Sequence, residues 1–415
     1  MKFHWFHLMP WPDLPDDFRD KYRCVWVDPP ANELYDPKRG HEVYNEYLDE
    51  LEFAEQCGYD GICVNEHHQN AYGLMPSPNL MAAALARRTN KAKIVVMGNS
   101  VALYNPPTRV AEEFAMLDVM SGGRLVAGFP VGTPMDTCFA YGQTPATLRE
   151  KYREGVDLIM KAWQSDEPFT YNGKYTQLRY VNVWPRPIQK PHPPVWIPGG
   201  GSVETWDWCV EHDYLYAYLS YFGYMRGRQV MEGFWEAVDK AGADPNPYRA
   251  GFLQFVAVAD DDAQAEELYA KHALYFYNRC LHLYPGFTNP PGYTSIATIK
   301  KGIESQVQAA ASALDPDLTW KDIVDRGYVV AGSPATVADH LNEMADTMKV
   351  GHLMVLCQFG SMGRDITMQN TARFAEEVMP KLRDRFNDWE DRWWPVDSLP
   401  TEQMARPAPV AWENA

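Results

Sequence analysis

Eight apolar, strand-like runs, each leading towards a helix-like run, predict an α/β fold closed as a (β/α)8 TIM barrel. Two further observations support that class. The Gly-x-Gly-x-x-Gly turn that an open doubly wound sheet normally carries after its first strand is absent. Chemistry-bearing residues also gather where strands end. Asn65-Glu66-His67-His68 closes the apolar run Gly61-Ile62-Cys63-Val64, and parallel barrels work at that end of their strands.

The elements follow in order. Phe3–Met9 reads as the first strand. Val43–Cys57 sets Tyr47, Leu48, Leu51, Phe53 and Ala54 at helical spacing, and Gly58 closes the helix. Gly61–Val64 is the second strand, and Pro78–Arg88 an Ala- and Leu-rich helix. Ala92–Val101 is the third strand, followed by a helix over Thr108–Met120 that Gly122-Gly123 stops. Arg124–Phe129 and Leu148–Trp163 form the next pair, then Pro194–Pro198 and Val203–Glu211. Tyr214–Ser220 and Met231–Ala241 follow, then the strand Gly251–Ala259. Gly351–Cys357 and Asn370–Phe386 complete the set.

Three segments exceed a minimal barrel of about 250 residues. They are Asp13–His41, Asn278–Ala331 and the Trp- and Pro-rich tail. Residues 1–386 therefore read as one barrel domain with insertions at 13–41 and 278–331, and 387–415 as an extension that wraps the surface or a partner subunit. The second insertion reads either as a lid over the barrel mouth or as a structural excursion.

Composition narrows the function. The 415 residues are 46% hydrophobic, enough for a large core, and carry a net charge of −17. Nucleic acids and anionic membranes select basic surfaces, so neither is an expected partner. No apolar run is long enough to span a bilayer and no signal peptide is visible, so a cytoplasmic location is expected. The seven cysteines are scattered without a Cys-x-x-Cys, which suggests neither a disulfide framework nor a zinc site.

Four constellations stand at strand ends. Glu66, His67 and His68 offer proton transfer near neutrality, or simply structural histidines. They lack a third ligand at metal-binding spacing, and no metal is expected. Trp196-Ile197-Pro198 runs into Gly199-Gly200-Gly201-Ser202 and then a helix with Thr205 in its first turn. Bare amides and a helix N-terminus favour an anion, here a phosphate. A tight turn with Ser202 as N-cap is the alternative. No Lys-Ser/Thr follows, so this is not a Walker loop. Gly98-Asn99 ends the third strand, as a ligand-contacting step or a bulge. Phe129-Pro130-Val131-Gly132 ends the fourth, facing the same mouth. No Gly-x-Ser-x-Gly elbow occurs, which argues against a serine hydrolase.

Taken together, three stretches resemble the bacterial luciferase-like, flavin-dependent monooxygenases. They are Glu66-His67-His68 with Tyr72-Gly73-Leu74, Asn105-Pro106-Pro107-Thr108-Arg109 through Arg124, and Pro194-Val195-Trp196 through Ser202 and Thr205. The resemblance implies a two-component enzyme that takes reduced FMN from a separate flavin reductase, adds O2, and oxygenates a small apolar or aromatic substrate through a peroxyflavin. It implies His67 as proton donor or acceptor with Glu66 and His68 beside it. It also implies Asn99 against the flavin ring with a non-proline cis peptide there, Gly98 and Pro130 among the cofactor-binding residues, and Gly200, Gly201, Ser202 and Thr205 at its phosphate. A homodimer or tetramer built on helices near Pro78–Met120 is implied too. Luciferases carry a Cys-Arg pair where this chain has Pro130-Val131. That departure argues against luminescence and aldehyde oxidation, and leaves the phosphate counter-charge either to come from elsewhere or to be absent. A deazaflavin-dependent dehydrogenase of the same superfamily, and a non-catalytic flavin-binding protein, are the alternatives.

Overall fold

The computed structural model describes residues 1–219, 221–304, 318–396 and 398–399. Strands β1 (Lys2–Phe6), β2 (Gly61–Val64), β3 (Lys93–Val96) and β4 (Leu125–Gly128) come first. An antiparallel hairpin of β5 (Phe169–Asn172) and β6 (Gln177–Val181) stands apart. Then come β7 (Val195–Gly199), β8 (Leu215–Tyr218), β9 (Ala250–Val258), β10 (Val329–Gly332) and β11 (His352–Leu356). All pairings in the main sheet are parallel. Its order β1-β2-β3-β4-β7-β8-β9-β11 returns to β1 and closes the eight-stave barrel.

The eight staves overlap the expected segments; most are trimmed at their ends, while β1, β7 and β9 each reach one residue beyond, to Lys2, Gly199 and Ala250. The third is the clearest case: pairing stops at Val96, and Val101–Leu103 is already a 3-10 turn. The residues freed from pairing, 97–100, line or back the barrel mouth. Ser220, expected at a strand end, the stretch 305–317 of the second insertion and the tail beyond 399 lie outside the described residues.

The hairpin β5–β6 and the helix Asp262–Tyr275 were not expected, and the helix after β8 runs over Gly223–Lys240 rather than 231–241. Two further departures concern the end of the chain. First, β10 and the helix Pro334–Met348 follow the second insertion, whose expected span ran through Ala331. β9 is nine residues long and wholly buried. Its lower half pairs with β8 and its upper half with β10, so one long strand serves two short neighbours. Second, the last helix is Arg364–Arg373, followed by irregular turns to Lys381, where a single helix over 370–386 was expected.

Local chemistry explains the boundaries that hold. Pro37–Gln56 starts on Asp36, whose carboxylate accepts from the Lys38 N–H, with Pro in the first turn. Thr108–Ser121 ends because Gly122 takes φ +71°. Buried Arg124 then donates to the carbonyls of Ser121, Ala86, Thr89 and Ala92, tying two helix ends to the base of β4. From the tail, residues up to Trp394 cross the barrel floor. Trp196 Nε1 donates to the Trp393 carbonyl at 3.0 Å, and Trp393 Nε1 to the Asp213 carbonyl at 2.8 Å.

Candidate active site

The C-terminal ends of β2, β3, β4 and β7 surround a cavity of about 460 Å3. Glu66, His67, Gly98, Pro130, Gly200, Gly201, Ser202 and Thr205 all line it, so most of the expected site residues converge although they come from four strands.

His67 is fixed from outside the expected set. Its Nδ1 lies 2.8 Å from Asp136 Oδ2. Asp136 sits in the short turn Met135–Ala140 after β4 and is 2% exposed. Its Oδ1 accepts from Trp26 Nε1 and from the His68 backbone N–H, each at 2.8 Å, and Thr133 Oγ1 donates to Oδ2 at 3.0 Å. Burial alone would raise this carboxyl. The imidazole of His67 and the N–H donors of His67, His68 and Trp26 outweigh burial and hold it below its ordinary value. An ionised carboxylate only accepts. The proton between the two groups therefore sits on His67 Nδ1, and Nε2 is the nitrogen available for exchange.

Glu66 and His68 behave differently. Glu66 Oε1 accepts from His68 Nε2 and from the Tyr104 hydroxyl, both at 2.9 Å, and Oε2 accepts from the Ser100 N–H at 2.6 Å. Glu66 thus clamps the loop after β3 to the loop after β2. The His68 ring packs on Tyr141 at 4.3 Å and stands behind the cavity wall. Gly98 is required by the same close approach, because a Cβ there would lie 2.7 Å from the Glu66 nitrogen. Asn99 is fully buried and turned from the cavity. Its amide exchanges hydrogen bonds with Asn79 at 2.8 and 3.1 Å. The cis peptides among the described residues all precede proline, so the expected one at Asn99 is not found there.

Beside the glycine loop expected to take an anion stands a cation that no local motif announces. Arg149, in the first turns of helix Pro145–Gln164, lines the cavity and donates from Nη1 to Thr205 Oγ1 at 3.2 Å. It supplies the cation missing at Val131. Gly201 takes φ +100°, and a side chain on Gly200 would project into open space, so the loop presents bare backbone. Ser202 makes no cap. Its hydroxyl donates to Glu204 Oε2 at 2.8 Å, and Glu204 also accepts from Ser295 and, at 3.0 Å, from Thr298. Burial pushes the Glu204 carboxyl up. The hydroxyls of Ser295, Ser202 and Thr298 and its own N–H overcome this and hold it at about 2. Leu281, Leu283, Tyr293 and Ser295 roof the cavity, and Tyr293 donates to the Gly132 carbonyl at 2.7 Å. Residues 281–298 of the second insertion therefore cover the mouth.

With this geometry in view, residues 23–349 match the family model described as luciferase-like monooxygenase. The chain belongs to that family. This luciferase-like chain is 22% identical over 391 residues to 2,5-diketocamphane 1,2-monooxygenase 1 of Pseudomonas putida, covering 87% of this chain and 99% of the relative. It is 32% identical over 162 residues to an F420-dependent glucose-6-phosphate dehydrogenase of Kineococcus radiotolerans, covering 37% and 46%. Its fold matches the oxygenating constituent of 3,6-diketocamphane monooxygenase from Pseudomonas putida in complex with FMN. That match has a TM-score of 0.68 and 20% identity, and covers 92% and 98% of the two chains. The family makes this protein an oxidoreductase.

Proposed function

We propose that the protein is the oxygenase component of a two-component monooxygenase, taking reduced FMN from a separate reductase and O2 as co-substrate. Its substrate would be a small apolar or aromatic molecule. One observation carries the reading: a single cavity has a phosphate-type cradle with its own cation, Arg149, at one end and an oriented imidazole, His67, at the other. The residues between them, Phe6, Met97, Leu219 and Tyr221 among them, suit a planar ring. The donor set fits a flavin bearing a phosphate.

Reduced FMN, when bound, supplies the electrons that activate dioxygen. The chain's own residues do the rest. Amides at the start of helix Val203–Glu211, with Arg149, hold the phosphate. His67 Nε2 gives or takes a proton, while Asp136 fixes the ring and its tautomer. Glu66 keeps the walls after β2 and β3 together, and Asn99 backs the wall through Asn79. The roof over 281–298 excludes water. We assign the exposed Leu80, Met116, Val119 and Met120, on two neighbouring helices, to a homo-oligomer contact.

The testing experiment mixes the protein and anaerobically reduced FMN with oxygenated buffer in a stopped-flow cell. Protein-dependent slowing of flavin reoxidation, lessened in His67→Ala, is the expected result. Reoxidation at the free-flavin rate removes the reading. The F420-dependent relative favours a second reading, hydride transfer by a deazaflavin. Anaerobic reduction of F420 by an alcohol would identify it.

A further inference from the structure

A second cavity, of about 450 Å3, opens on His67 as well. It lies where the first insertion packs over the loop after β2, and its walls include Trp11, Val27, Tyr35, Tyr44 and Leu74. His67 is the only residue lining both cavities among those described, so this residue forms the partition between them.

Two hydrogen-bond donors in these walls have no acceptor. Trp11 is 3% exposed and lies against the Tyr35 ring, and its indole Nε1 is buried without a partner. Asn70 Oδ1 accepts from the Gly73 N–H at 2.7 Å, which fixes the amide orientation and leaves the buried Nδ2 unpartnered. Unmet buried donors are costly, and native proteins seldom keep them without a use. The backbone is also held in a costly form here. Val27 takes φ +52° and Gln69 φ +50°, and the two are joined by a 2.8 Å bond from the Val27 N–H to the Gln69 carbonyl. A β-branched residue rarely adopts that region, and such strain gathers at ligand sites.

The walls hold no Lys or Arg. A carboxylate would thus lose its hydration without gaining a counter-charge. A neutral acceptor loses much less. Aromatic walls with two orphan donors and no cation suit a planar aromatic molecule bearing a carbonyl.

We propose that this cavity is a second ligand site, for a neutral aromatic carbonyl compound, on the other face of the His67 partition from the flavin cradle. Binding stands on this cavity alone. Only the ligand's fate at His67 rests on the proposed monooxygenase reading.

The test is titration calorimetry with three probes of similar shape: acetophenone, ethylbenzene and benzoate. Acetophenone should bind about tenfold more tightly than the other two, the worth of one to two hydrogen bonds. Trp11→Phe keeps the ring and removes the N–H. Asn70→Asp keeps the acceptor for Gly73 and removes the amide donor. Each should shrink the preference for acetophenone over ethylbenzene severalfold while leaving FMN affinity, read by flavin fluorescence, unchanged. Acetophenone should also shift the His67 imidazole resonance. Equal binding of acetophenone and ethylbenzene, tighter binding of benzoate, or displacement of acetophenone by FMN would each overturn the proposal. Failure of the unsubstituted protein to bind FMN while it keeps the acetophenone preference would instead count against the monooxygenase reading alone, and an undiminished preference in both variants would also overturn the proposal.

Discussion

At the upper rim of the barrel His67 meets Asp136 across 2.8 Å, and at the floor His352 meets Asp391 across 3.4 Å. The chemical groups are the same, but their surroundings are opposed. His67 lines two cavities. His352 is fully buried, bonded at 3.0 Å through Nδ1 to His4 Nε2, and roofed by Trp196 and Trp394 with ring centroids at 4.8 and 5.7 Å. Burial lowers the pKa of both floor histidines, and their mutual repulsion adds to it for His4. A histidine–carboxylate pair is thus no evidence of catalysis by itself. What distinguishes the rim is access, together with the Gly200–Ser202 loop and Arg149 in the same cavity, the proposed anion cradle. The floor is where a parallel barrel invests in stability.

Four experiments press on that contrast. Trp394→Ala should have the largest effect, destabilising by about 3 kcal/mol in denaturant unfolding while leaving FMN affinity intact. A drop in affinity would show that the floor and rim are coupled. Asp136→Asn should do the reverse. Single-turnover oxygenation should fall about 100-fold, as for loss of an oriented proton-transfer group, with a smaller loss of stability than Trp394→Ala causes. Rates equal to wild type would make the rim pair structural like the floor pair. Arg149→Gln should weaken FMN by about tenfold, the scale of one charge-assisted hydrogen bond, and leave riboflavin, which has no phosphate, unaffected.

Acid should act on the floor, as it should on His7 and His272, whose pKa values burial lowers to about 3 and about 4. His4 and His352 have folded pKa values below the unfolded value of about 6.5. The unfolded chain therefore takes up protons first, and stability present above pH 6.5 is lost as pH falls below it. Each histidine contributes up to about 1.4 kcal/mol per pH unit in that window. The carboxyl of Asp391, raised by burial but lowered further by His352 and Lys2, ends below its ordinary value, so its own loss comes only at lower pH. Melting temperatures at pH 7.5, 6.5 and 5.5 should fall over the last step. A flat profile would contradict the burial argument.

Punctuation in the sequence explains what could be read there. Pro78–Arg88 and Val203–Glu211 have the expected bounds because proline opens one and the glycine run and Ser202 precede the other. Strand positions were legible for the same reason, though not every strand end, and the second insertion was recognisable as an excursion with a cover as one of two readings. Asp136 and Arg149 were not. Each acts on a partner more than fifty residues away, His67 and Thr205, and no local spacing encodes that pairing. β10 escaped because four residues, Val329–Gly332, form no periodic pattern of their own and depend on the upper half of β9. The helix after it did carry a signal, Ser333-Pro334, with Ser333 Oγ accepting from the Thr336 N–H. The roles of Glu66 and His68 could not be separated in the tetrapeptide. The closed-in loops after β3 and β4 decide which of its side chains faces the cavity.

A hydroxyl has one proton to donate, and that of Ser202 already goes to Glu204, the same carboxylate that fastens Ser295 and Thr298 of the roof. An anion arriving at the loop finds main-chain amides and a guanidinium ready, and the serine committed. Ser202→Ala is accordingly a probe of the hinge rather than of the berth. Its signature belongs in how fast ligands enter and leave, and a change confined to the FMN dissociation constant would show that the serine had switched allegiance.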